Sequence, residues 1–225
     1  MMEICLCVYE RSQRLPMLLA QLERQTHLDF RLNIWNNSGK PLPISHSNAI
    51  KLQIIDSDHN CGSSARFKII LQTEGNPILF IDDDMIVHKD FMAYYHEQFI
   101  KYGSNCILGW HTRIFQEEHY WKATLHSPYG SEVDYIGTGG MILDRKIFDN
   151  ESILQNLPAE YEKVEDLFLC YLARQKYNMK LIAIHKKCAI VADGKDQYRR
   201  LYQYKQNAFQ SLRKMGWRLL NDDSL

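Results

Sequence analysis

The sequence lacks the features that mark membrane, secreted and nucleic-acid-binding proteins. It contains no run of about eighteen apolar residues, so we expect no membrane-spanning helix. It begins Met1-Met2-Glu3-Ile4, without the charged leader and long apolar core of a secretory signal peptide. Lys plus Arg number 27 and Asp plus Glu also number 27, so no basic excess indicates nucleic-acid binding. We therefore expect a cytoplasmic protein without a nucleic-acid partner.

Cysteine is present, but in no pattern typical of disulfides or metal sites. The six cysteines are Cys5, Cys7, Cys61, Cys106, Cys170 and Cys188. None belongs to a C-x-x-C pair, and on a strand the side chains of Cys5 and Cys7 would point to opposite faces. We expect reduced, mostly buried thiols in a reducing compartment and no structural zinc site.

Common nucleotide and calcium motifs are also missing. No G-x-x-x-x-G-K-[ST] sequence occurs, which excludes a P-loop. The glycine-rich segment 137–140 lacks the last glycine of the dinucleotide-binding fingerprint, because Ile142 stands there. The segment 56–60 begins like a calcium loop, but Cys61 occupies the position that requires glycine.

The chain does contain short apolar runs that alternate with amphipathic segments. Its 225 residues, 45% of them hydrophobic, suit one large domain with a full core. Strands are predicted at 4–9, 30–35, 52–55, 78–81, 106–110, 141–143 and 181–184, and helices at 15–25, 64–73, 90–102, 147–157, 164–177 and 197–215. The segment 111–134 has little periodicity and is predicted to be a long functional loop. This alternation predicts an α/β fold with a largely parallel sheet.

One strand ends in three adjacent carboxylates. The apolar run Ile78-Leu79-Phe80-Ile81 is followed directly by Asp82, Asp83 and Asp84. Three neighbouring carboxylates repel one another unless a positive charge lies beside them. Because ligands of open α/β sheets bind at the carboxyl ends of strands, the cluster indicates a divalent cation and a negatively charged substrate. A solvated turn is the simpler alternative.

Six short segments follow one another in an order that is specific when they are taken together. They are Val8-Tyr9-Glu10-Arg11, Trp35-Asn36-Asn37-Ser38-Gly39, Asn60-Cys61-Gly62 with Ala65-Arg66, Leu79-Phe80-Ile81-Asp82-Asp83-Asp84, Gly137-Thr138-Gly139-Gly140-Met141 and Glu165-Asp166-Leu167. In this order they resemble motifs of GT-A nucleotide-sugar-dependent glycosyltransferases over about the first 190 residues. The likeness is greatest to the inverting family that includes cellulose and chitin synthases.

The resemblance implies a fold and a division of the chain. The expected fold is GT-A, a Rossmann-like α/β fold with a mixed, mostly parallel sheet flanked by helices. Residues 1–225 would form a single glycosyltransferase domain. Residues 1–104 would be its nucleotide-binding half, 105–192 its acceptor-side half, and 193–225 a C-terminal helical appendage.

The resemblance implies that the acidic cluster binds the nucleotide-sugar donor. It implies that Asp84, with Asp82, binds Mn²⁺ or Mg²⁺ between the phosphates of a nucleotide-diphosphate sugar. Asp83 would accept hydrogen bonds from the ribose. A UDP-sugar is favoured as donor, and a GDP-sugar is possible. The base stays open because Asn37 stands where the family more often has an aspartate that reads uracil.

Other residues of the nucleotide-binding half are expected to contact the nucleotide. By resemblance, Tyr9 would stack on the base, Arg11 and Arg66 would face its charges, and Asn60 belongs to the same site. Each has a structural alternative. Tyr9 could be a core residue, Arg66 a structural ion-pair partner, and the Asn-Asn-Ser-Gly segment around Asn37 a simple turn.

The acidic pair at the start of the helix at 164–177 is expected to supply the catalytic base. An inverting transfer needs one carboxylate to remove the proton from the acceptor hydroxyl. Asp166 is the first choice for this base and Glu165 the second. Both could instead be acids that stabilise a helix amino terminus through its dipole.

The acceptor half contains aromatic residues that could bind sugar faces. Trp110 and Trp121, with the glycine-rich residues Gly139 and Gly140, are expected to lie on the acceptor and sugar side. His185 follows a strand and is a further candidate metal ligand. The expected acceptor is a glycan, a glycoprotein or another hydroxyl compound. The basic C-terminal helix permits peripheral membrane contact, and the sequence does not indicate an oligomeric state.

Two alternatives to a glycosyltransferase stay open at this point. A haloacid-dehalogenase-type phosphohydrolase would use Asp82 as nucleophile and Asp84 as acid/base, with Asp193 and Asp196 holding magnesium. A non-catalytic nucleotide-sugar-binding module would keep the fold without needing Glu165 and Asp166.

Overall fold

The computed structural model describes residues 1–149, 157–193 and 199–222. Its strands are β1 (Met2–Val8), β2 (Phe30–Asn36), β3 (Lys51–Asp56), β4 (Ile78–Ile81), β5 (Met85–Val87), β6 (Cys106–Gly109), β7 (Thr112–Phe115), β8 (Ala123–Leu125), β9 (Tyr135–Ile136), β10 (Met141–Leu143), β11 (Lys180–Ala183) and β12 (Cys188–Ile190). Its α-helices are α1 (Leu15–Glu23), α2 (Ala65–Ile70), α3 (Phe91–Tyr102), α4 (Glu165–Gln175) and α5 (Tyr202–Lys214).

The central sheet has seven strands in the order β11-β6-β10-β4-β1-β2-β3. All neighbours are parallel except β10, which is antiparallel to both β4 and β6. The predicted α/β fold with a mixed, mostly parallel sheet is therefore confirmed. Strands β6, β10 and β11 come from the part of the chain beyond residue 104, so both halves share this one sheet.

Both faces of the sheet are covered, which explains why its strands are apolar throughout. In β4, Leu79 and Ile81 pack against α1 and α3, whereas Ile78 and Phe80 face the side of α2, α4 and α5. Successive side chains alternate between these two cores because a strand has a period of two. All four residues of β4 are completely buried. This burial fixes the register of the strand that carries the acidic cluster.

The long segment 111–134 is more regular than its sequence predicts. Strands β7, β8 and β9 form a small antiparallel sheet in the order β8-β7-β9. Phe115 and Tyr120 from this segment are buried against Phe209 of α5. The hydrophobic residues of this segment show no regular spacing because they pack into a local aromatic core and do not lie along one face of a long helix or strand.

Strands β5 and β12 were not predicted from the sequence. They pair with each other antiparallel and form a two-stranded ribbon beside the acidic cluster. The backbone N–H of Val191 continues this pairing by donating to the carbonyl of Asp84 at 2.9 Å. The ribbon fixes the direction in which the chain leaves the cluster.

The predicted helix at 147–157 extends outside the described residues, and only a 3-10 turn at Arg145–Phe148 is seen at its start. The C-terminal helix begins at Tyr202, and the predicted residues 197 and 198 lie outside the described part. Its Ala208, Phe209 and Leu212 are buried in the main core, so the segment predicted as an appendage packs within the domain. Among the described residues, no helix combines the length and apolar character needed to cross a membrane.

Candidate active site

A cavity of about 910 Å³ lies at the carboxyl ends of β1 and β4. Strand order reverses between these two strands, since β2 and β3 follow on one side of β1 and β4 lies on the other. Such a reversal opens a crevice in α/β sheets. Most residues predicted from the sequence line this cavity, and they are Tyr9, Arg11, Asn37, Asn60, Arg66, Asp82, Asp83, Asp84, Trp110, Gly139, Glu165 and Asp166.

The acidic cluster is held by Arg11 from the loop after β1. Its guanidinium lies 3.4 Å from Asp83 and 3.8 Å from Asp84, and it binds both carboxylate oxygens of Asp193 at 2.8 and 3.0 Å. The pKa values of Asp83 and Asp84 are both raised to about 6, first by burial and then by the charge of Asp82. This carboxylate cluster therefore holds more negative charge than Arg11 alone offsets, and a further cation would stabilise it.

A second arginine joins the acidic cluster to the start of α4. Arg66 is 6% exposed and its guanidinium lies 3.1 Å from both Asp82 and Glu165. Burial lowers the pKa of Arg66, but the charges of Asp82 and Glu165 more than reverse this, so it remains charged. The Ser63 hydroxyl donates to Glu165 at 2.5 Å. Arg66 thus has the structural ion-pair role considered for it, while its side chain also lines the cavity.

Glu165 and Asp166 have different environments although they are adjacent. Glu165 is 2% exposed, and burial raises its pKa to about 7 against the opposing charge of Arg66. Asp166 is half-buried, accepts from the Tyr135 hydroxyl and accepts from the N–H of Leu167 at 2.8 Å. Of the two carboxylates, Asp166 is the one whose surroundings leave it accessible from the cavity.

Asn37 lies at the cavity wall with its amide bound to a neighbouring loop. Its side-chain oxygen accepts from the N–H of Cys61 at 2.9 Å, and its nitrogen donates to the carbonyl of Gly62 at 3.0 Å. The Asn60 side chain accepts from the N–H of Gly62 at 2.9 Å. Both asparagines therefore shape this loop. Tyr9, by contrast, is 41% exposed and lines the cavity.

The glycine-rich segment lies against the acidic strand. A Cβ atom on Gly139 would lie 2.7 Å from Oδ2 of Asp82, so a larger residue there would displace the Asp82 carboxylate. Gly140 donates its N–H to the carbonyl of Phe80 at 2.9 Å and has a φ of +92°, which favours glycine. Gly140 supports the wall, whereas Gly139 itself lines the cavity.

Beside the glycine-rich segment, three rings form a stack. The Trp110 ring lies 5.5 Å from the rings of both His111 and His126, measured between centroids. Trp110 and His111 line the cavity. The pKa of His111 is lowered to about 4 by burial and by the charge of Arg113, so its ring is neutral at ordinary pH.

Two predicted site residues lie away from the cavity. The Trp121 ring stacks on Tyr202 of α5 at 4.6 Å, so it belongs to the contact between α5 and the small sheet. The exposed His185 stacks on Tyr129 at 4.6 Å, with its backbone N–H donating to Tyr94. Neither residue is among the described residues that line the cavity, so the sugar contact of Trp121 and the metal-ligand role of His185 stay predictions that this geometry does not support. Side-chain direction, which sequence position does not give, is the reason in both cases.

Two residues that sequence reasoning did not select contribute to the site. Tyr135 positions Asp166, and Ser63 positions Glu165. A hydroxyl residue within a short apolar stretch or a polar loop carries no pattern that reveals such a partner. Asp193, which the phosphohydrolase alternative assigns to magnesium, instead binds Arg11 on the far side from Asp83.

The sequence matches the model of a known protein family, and the fold matches solved structures of a known protein. The family model described as Glycosyl transferase family 2 matches residues 3–156. The structure of Staphylococcus aureus TarS residues 1–349 in complex with UDP superposes with a TM-score of 0.67 at 15% identity, over 97% of this chain and 66% of that one. Its complex with UDP-GlcNAc gives a TM-score of 0.60 at 16% identity, over 86% and 59%. No curated protein matches this sequence.

The present chain therefore spans less than two thirds of the UDP-GlcNAc-bound TarS chain and about two thirds of the UDP-bound one. At this identity the likeness to TarS shows the fold, which is GT-A. The family match covers the acidic strand and the glycine-rich segment and excludes the phosphohydrolase alternative. The chain belongs to Glycosyl transferase family 2 and has the GT-A fold of a nucleotide-sugar glycosyltransferase.

Proposed function

We propose that this protein transfers a sugar from a UDP-sugar to an acceptor hydroxyl, with a divalent cation and with inversion at the sugar. The observation that carries the proposal is that one cavity holds the carboxylates Asp82, Asp83 and Asp84 and, on a separate element, Asp166. The cavity volume of about 910 Å³ is within the range of cofactor-sized sites. Similar structures of TarS bound to UDP and UDP-GlcNAc support UDP as the nucleotide.

The nucleotide would bind between the ends of β1, β2 and β4. The exposed ring of Tyr9 would stack on the base, and the wall formed by Asn37 and Asn60 would bound the base pocket. Asp83, the middle carboxylate, would accept from the ribose hydroxyls. Arg11 would then exchange part of its contact with Asp83 for contact with the diphosphate.

The residues present fit a divalent cation held jointly with the substrate. Within the described ranges, no group of three or more His, Cys, Asp or Glu side chains is arranged to hold an ion unaided. Mg²⁺ is commonly bound by one or two carboxylates together with substrate phosphates, and Mn²⁺ prefers similar oxygen ligands. Asp84 and Asp82 supply this chemistry at the cavity. When bound, the cation would stabilise the negative charge of the departing diphosphate.

Asp166 would act as the general base. It is the more accessible of the acidic pair, and the Tyr135 hydroxyl holds one of its oxygens. Glu165 is buried and bound to Arg66 and Ser63, so it would position the site rather than take a proton. A retaining double displacement needs a carboxylate nucleophile beside the sugar. A single accessible carboxylate opposite the donor supports inversion instead.

Calorimetric titration with UDP, with and without Mn²⁺, tests the donor half of the proposal. Tight binding that needs Mn²⁺ and is lost in Asp84→Asn is expected. Asp29→Asn is the matched control, because the Asp29 carboxylate is 72% exposed away from the cavity. Failure of UDP to bind under any metal condition would refute the proposal.

Turnover separates a transferase from the non-catalytic binding module. Slow release of UDP from a UDP-sugar without acceptor is expected, because water can replace the acceptor hydroxyl. Asp166→Asn should lower this rate by about 10²- to 10⁴-fold while UDP affinity is retained. UDP binding without measurable turnover in the unmodified protein would favour the binding module.

A further inference from the structure

His111, the residue before β7, is held in the cavity by contacts of its ring with other rings. The half-buried imidazole is stacked with Trp110 at 5.5 Å and with His126 at 5.9 Å, measured between centroids. The Tyr135 ring contacts it edge-on at 6.4 Å. Within the part of the chain that the structure describes, neither ring nitrogen of His111 has a hydrogen-bond partner. Ring packing therefore orients this side chain and leaves its polar atoms available to a substrate.

Gly137 brings His111 close to the proposed base. A Cβ atom on Gly137 would lie 2.8 Å from Nδ1 of His111 and 3.3 Å from the hydroxyl oxygen of Tyr135, which donates to Asp166. Burial lowers the pKa of His111 and the charge of Asp166 opposes this change, so the two side chains are neighbours. All four residues line the cavity. The space that a side chain at position 137 would fill therefore lies between an imidazole nitrogen and the hydroxyl that holds the base.

The protonation state of His111 determines which group it can bind. Burial and the charge of Arg113 lower its pKa to about 4, so the imidazole is neutral near pH 7. A neutral imidazole has one N–H donor and one acceptor nitrogen, and it does not attract anions as an imidazolium would. A hydroxyl likewise donates one hydrogen bond and accepts others. The substrate group that matches His111 is therefore a hydroxyl.

Given the proposed donor site, the position of His111 along the glycine-rich segment assigns this hydroxyl to the acceptor. Gly139 lies against Asp82, and Gly137 lies against His111. The two glycines are two positions apart in the chain, so they lie within about 7 Å of each other. A sugar whose diphosphate is bound at the acidic cluster would extend from Asp82 along this segment. His111 and Asp166 then lie beyond the sugar, on the side from which the acceptor approaches.

We propose that His111 is a further acceptor-binding residue, and that its imidazole binds a second hydroxyl of the acceptor, next to the hydroxyl at Asp166. The acceptor is then a compound with two neighbouring hydroxyls. This inference rests on the proposed function, because it needs sugar transfer at Asp166. In that transfer the acceptor oxygen bonds to the anomeric carbon, its proton goes to Asp166, and the bond from that carbon to the diphosphate breaks, so that UDP leaves. His111 orients the acceptor and exchanges no proton with it.

Competition between water and small alcohols for the donor sugar tests this proposal. The protein is incubated with Mn²⁺ and UDP-glucose, UDP-galactose or their N-acetylamino analogues. The alcohols, at equal concentration, are cis- and trans-cyclohexane-1,2-diol and cyclohexanol, which differ only in the second hydroxyl. Mass spectrometry measures the ratio of glycoside to free sugar in each reaction. At least one diol should give a ratio about five-fold or more above that of cyclohexanol, since one hydrogen bond is added.

Variants of His111 test whether its nitrogens recognise the second hydroxyl. His111→Phe keeps a stacked ring without nitrogens, so the diol preference should fall to about two-fold, which is the advantage of having two hydroxyls that can react. His111→Gln keeps a donor and an acceptor and should retain part of the preference. His111→Leu is the second variant without nitrogens, should the Phe ring not fit. His96→Phe is the control, because the half-buried His96 ring stacks on His27 at 4.6 Å and is not among the described residues that line the cavity.

Each outcome decides a separate question. If UDP does not bind, or no UDP-sugar is hydrolysed, the proposed function itself is wrong. If hydrolysis occurs but neither diol is preferred over cyclohexanol, the inferred class of acceptor is overturned. If the preference persists in His111→Phe and His111→Leu, another residue binds the second hydroxyl and the role of His111 is overturned. UDP affinity, measured for each variant, shows that the donor site is intact. A loss of UDP affinity in both variants together with retention in His111→Gln would place His111 at the donor and would also overturn the inference.

Discussion

Replacement of Arg66 by methionine tests whether the buried ion pairs hold the two carboxylate groups of the site together. Arg66 is 6% exposed and lies 3.1 Å from both Asp82 and Glu165. Methionine keeps the apolar stem and removes the guanidinium, whose carbon lies 6.0 Å from the centre of the Phe80 ring, together with its charge and hydrogen bonds. The change leaves Glu165, which is 2% exposed, without its cation.

The size of the effect follows from the burial of Glu165. Removing one partner of a buried pair typically costs about 3–5 kcal/mol, because the remaining charge is uncompensated. Asp82 is 36% exposed at its side chain, so water can solvate it and most of the cost falls on Glu165. A loss of this size corresponds to a melting temperature lower by about 6–20 °C for a domain of this size.

The loss in free energy of unfolding caused by Arg66→Met should depend on pH, and it should increase as pH rises. Burial raises the pKa of Glu165 from 4.5 to about 7, so in the folded protein it stays protonated where the unfolded chain has lost that proton. Its contribution to stability is therefore present below pH 4.5 and lost as pH rises through 7, by about 3 kcal/mol. Loss of Arg66 raises this pKa further. The destabilisation by Arg66→Met should thus be larger at pH 8 than at pH 6, by up to about 1.4 kcal/mol.

Urea unfolding in metal-free buffer at pH 6 and pH 8 measures these free energies. Arg24→Met is the control, since Arg24 is an exposed residue at the end of α1. The double variant Arg66→Met/Glu165→Gln should recover much of the lost stability at pH 8 and should lose the pH dependence. A cost below about 1 kcal/mol at pH 8, or a cost that falls as pH rises, would refute the assigned role of this ion pair.

Three further variants or probes test other parts of the cavity. Gly139→Ala places a methyl group 2.7 Å from Oδ2 of Asp82, so UDP affinity measured by calorimetry should fall by about five-fold or more with little change in melting temperature. Tyr135→Phe removes the hydroxyl that holds Asp166, so kcat should fall by about ten-fold while KM for the donor is unchanged, and an equal loss in both would contradict a positioning role. Cys61 is partly exposed on the loop that lines the cavity, so it should be the first thiol to react with a disulfide reagent, and UDP should slow that reaction. If UDP does not change the rate at which Cys61 reacts, the nucleotide does not bind beside this loop.

The part of the cavity at the ends of β1 and β4 could be predicted closely from the sequence. The run Ile78–Ile81 is apolar at every position because both faces of β4 are buried, and the predicted bounds agree with the structure. The three aspartates follow at the carboxyl end, where a parallel sheet opens its crevice. Local sequence patterns and the order of the motifs along the chain were sufficient to predict which residues form this part of the cavity.

The region around the small sheet of β7, β8 and β9 could not be predicted in the same way. Trp121 and His185 have residue types suited to sugar and metal binding, but their side chains pack against Tyr202 and Tyr129. The small sheet of β7, β8 and β9 has strands of two to four residues, too short for a period to be recognised. Here the packing of aromatic rings, rather than hydrophobic periodicity, determines which residues face the cavity.

The sequence by itself determined that the chain is a GT-A protein with carboxylates at a strand end and an acidic pair at a helix start. These features depend on local pattern and on order along the chain. Only the tertiary structure decided how the acids divide their roles. Arg66 buries and binds Glu165, whereas Tyr135 holds Asp166 at the cavity, because elements distant in sequence meet at the strand ends.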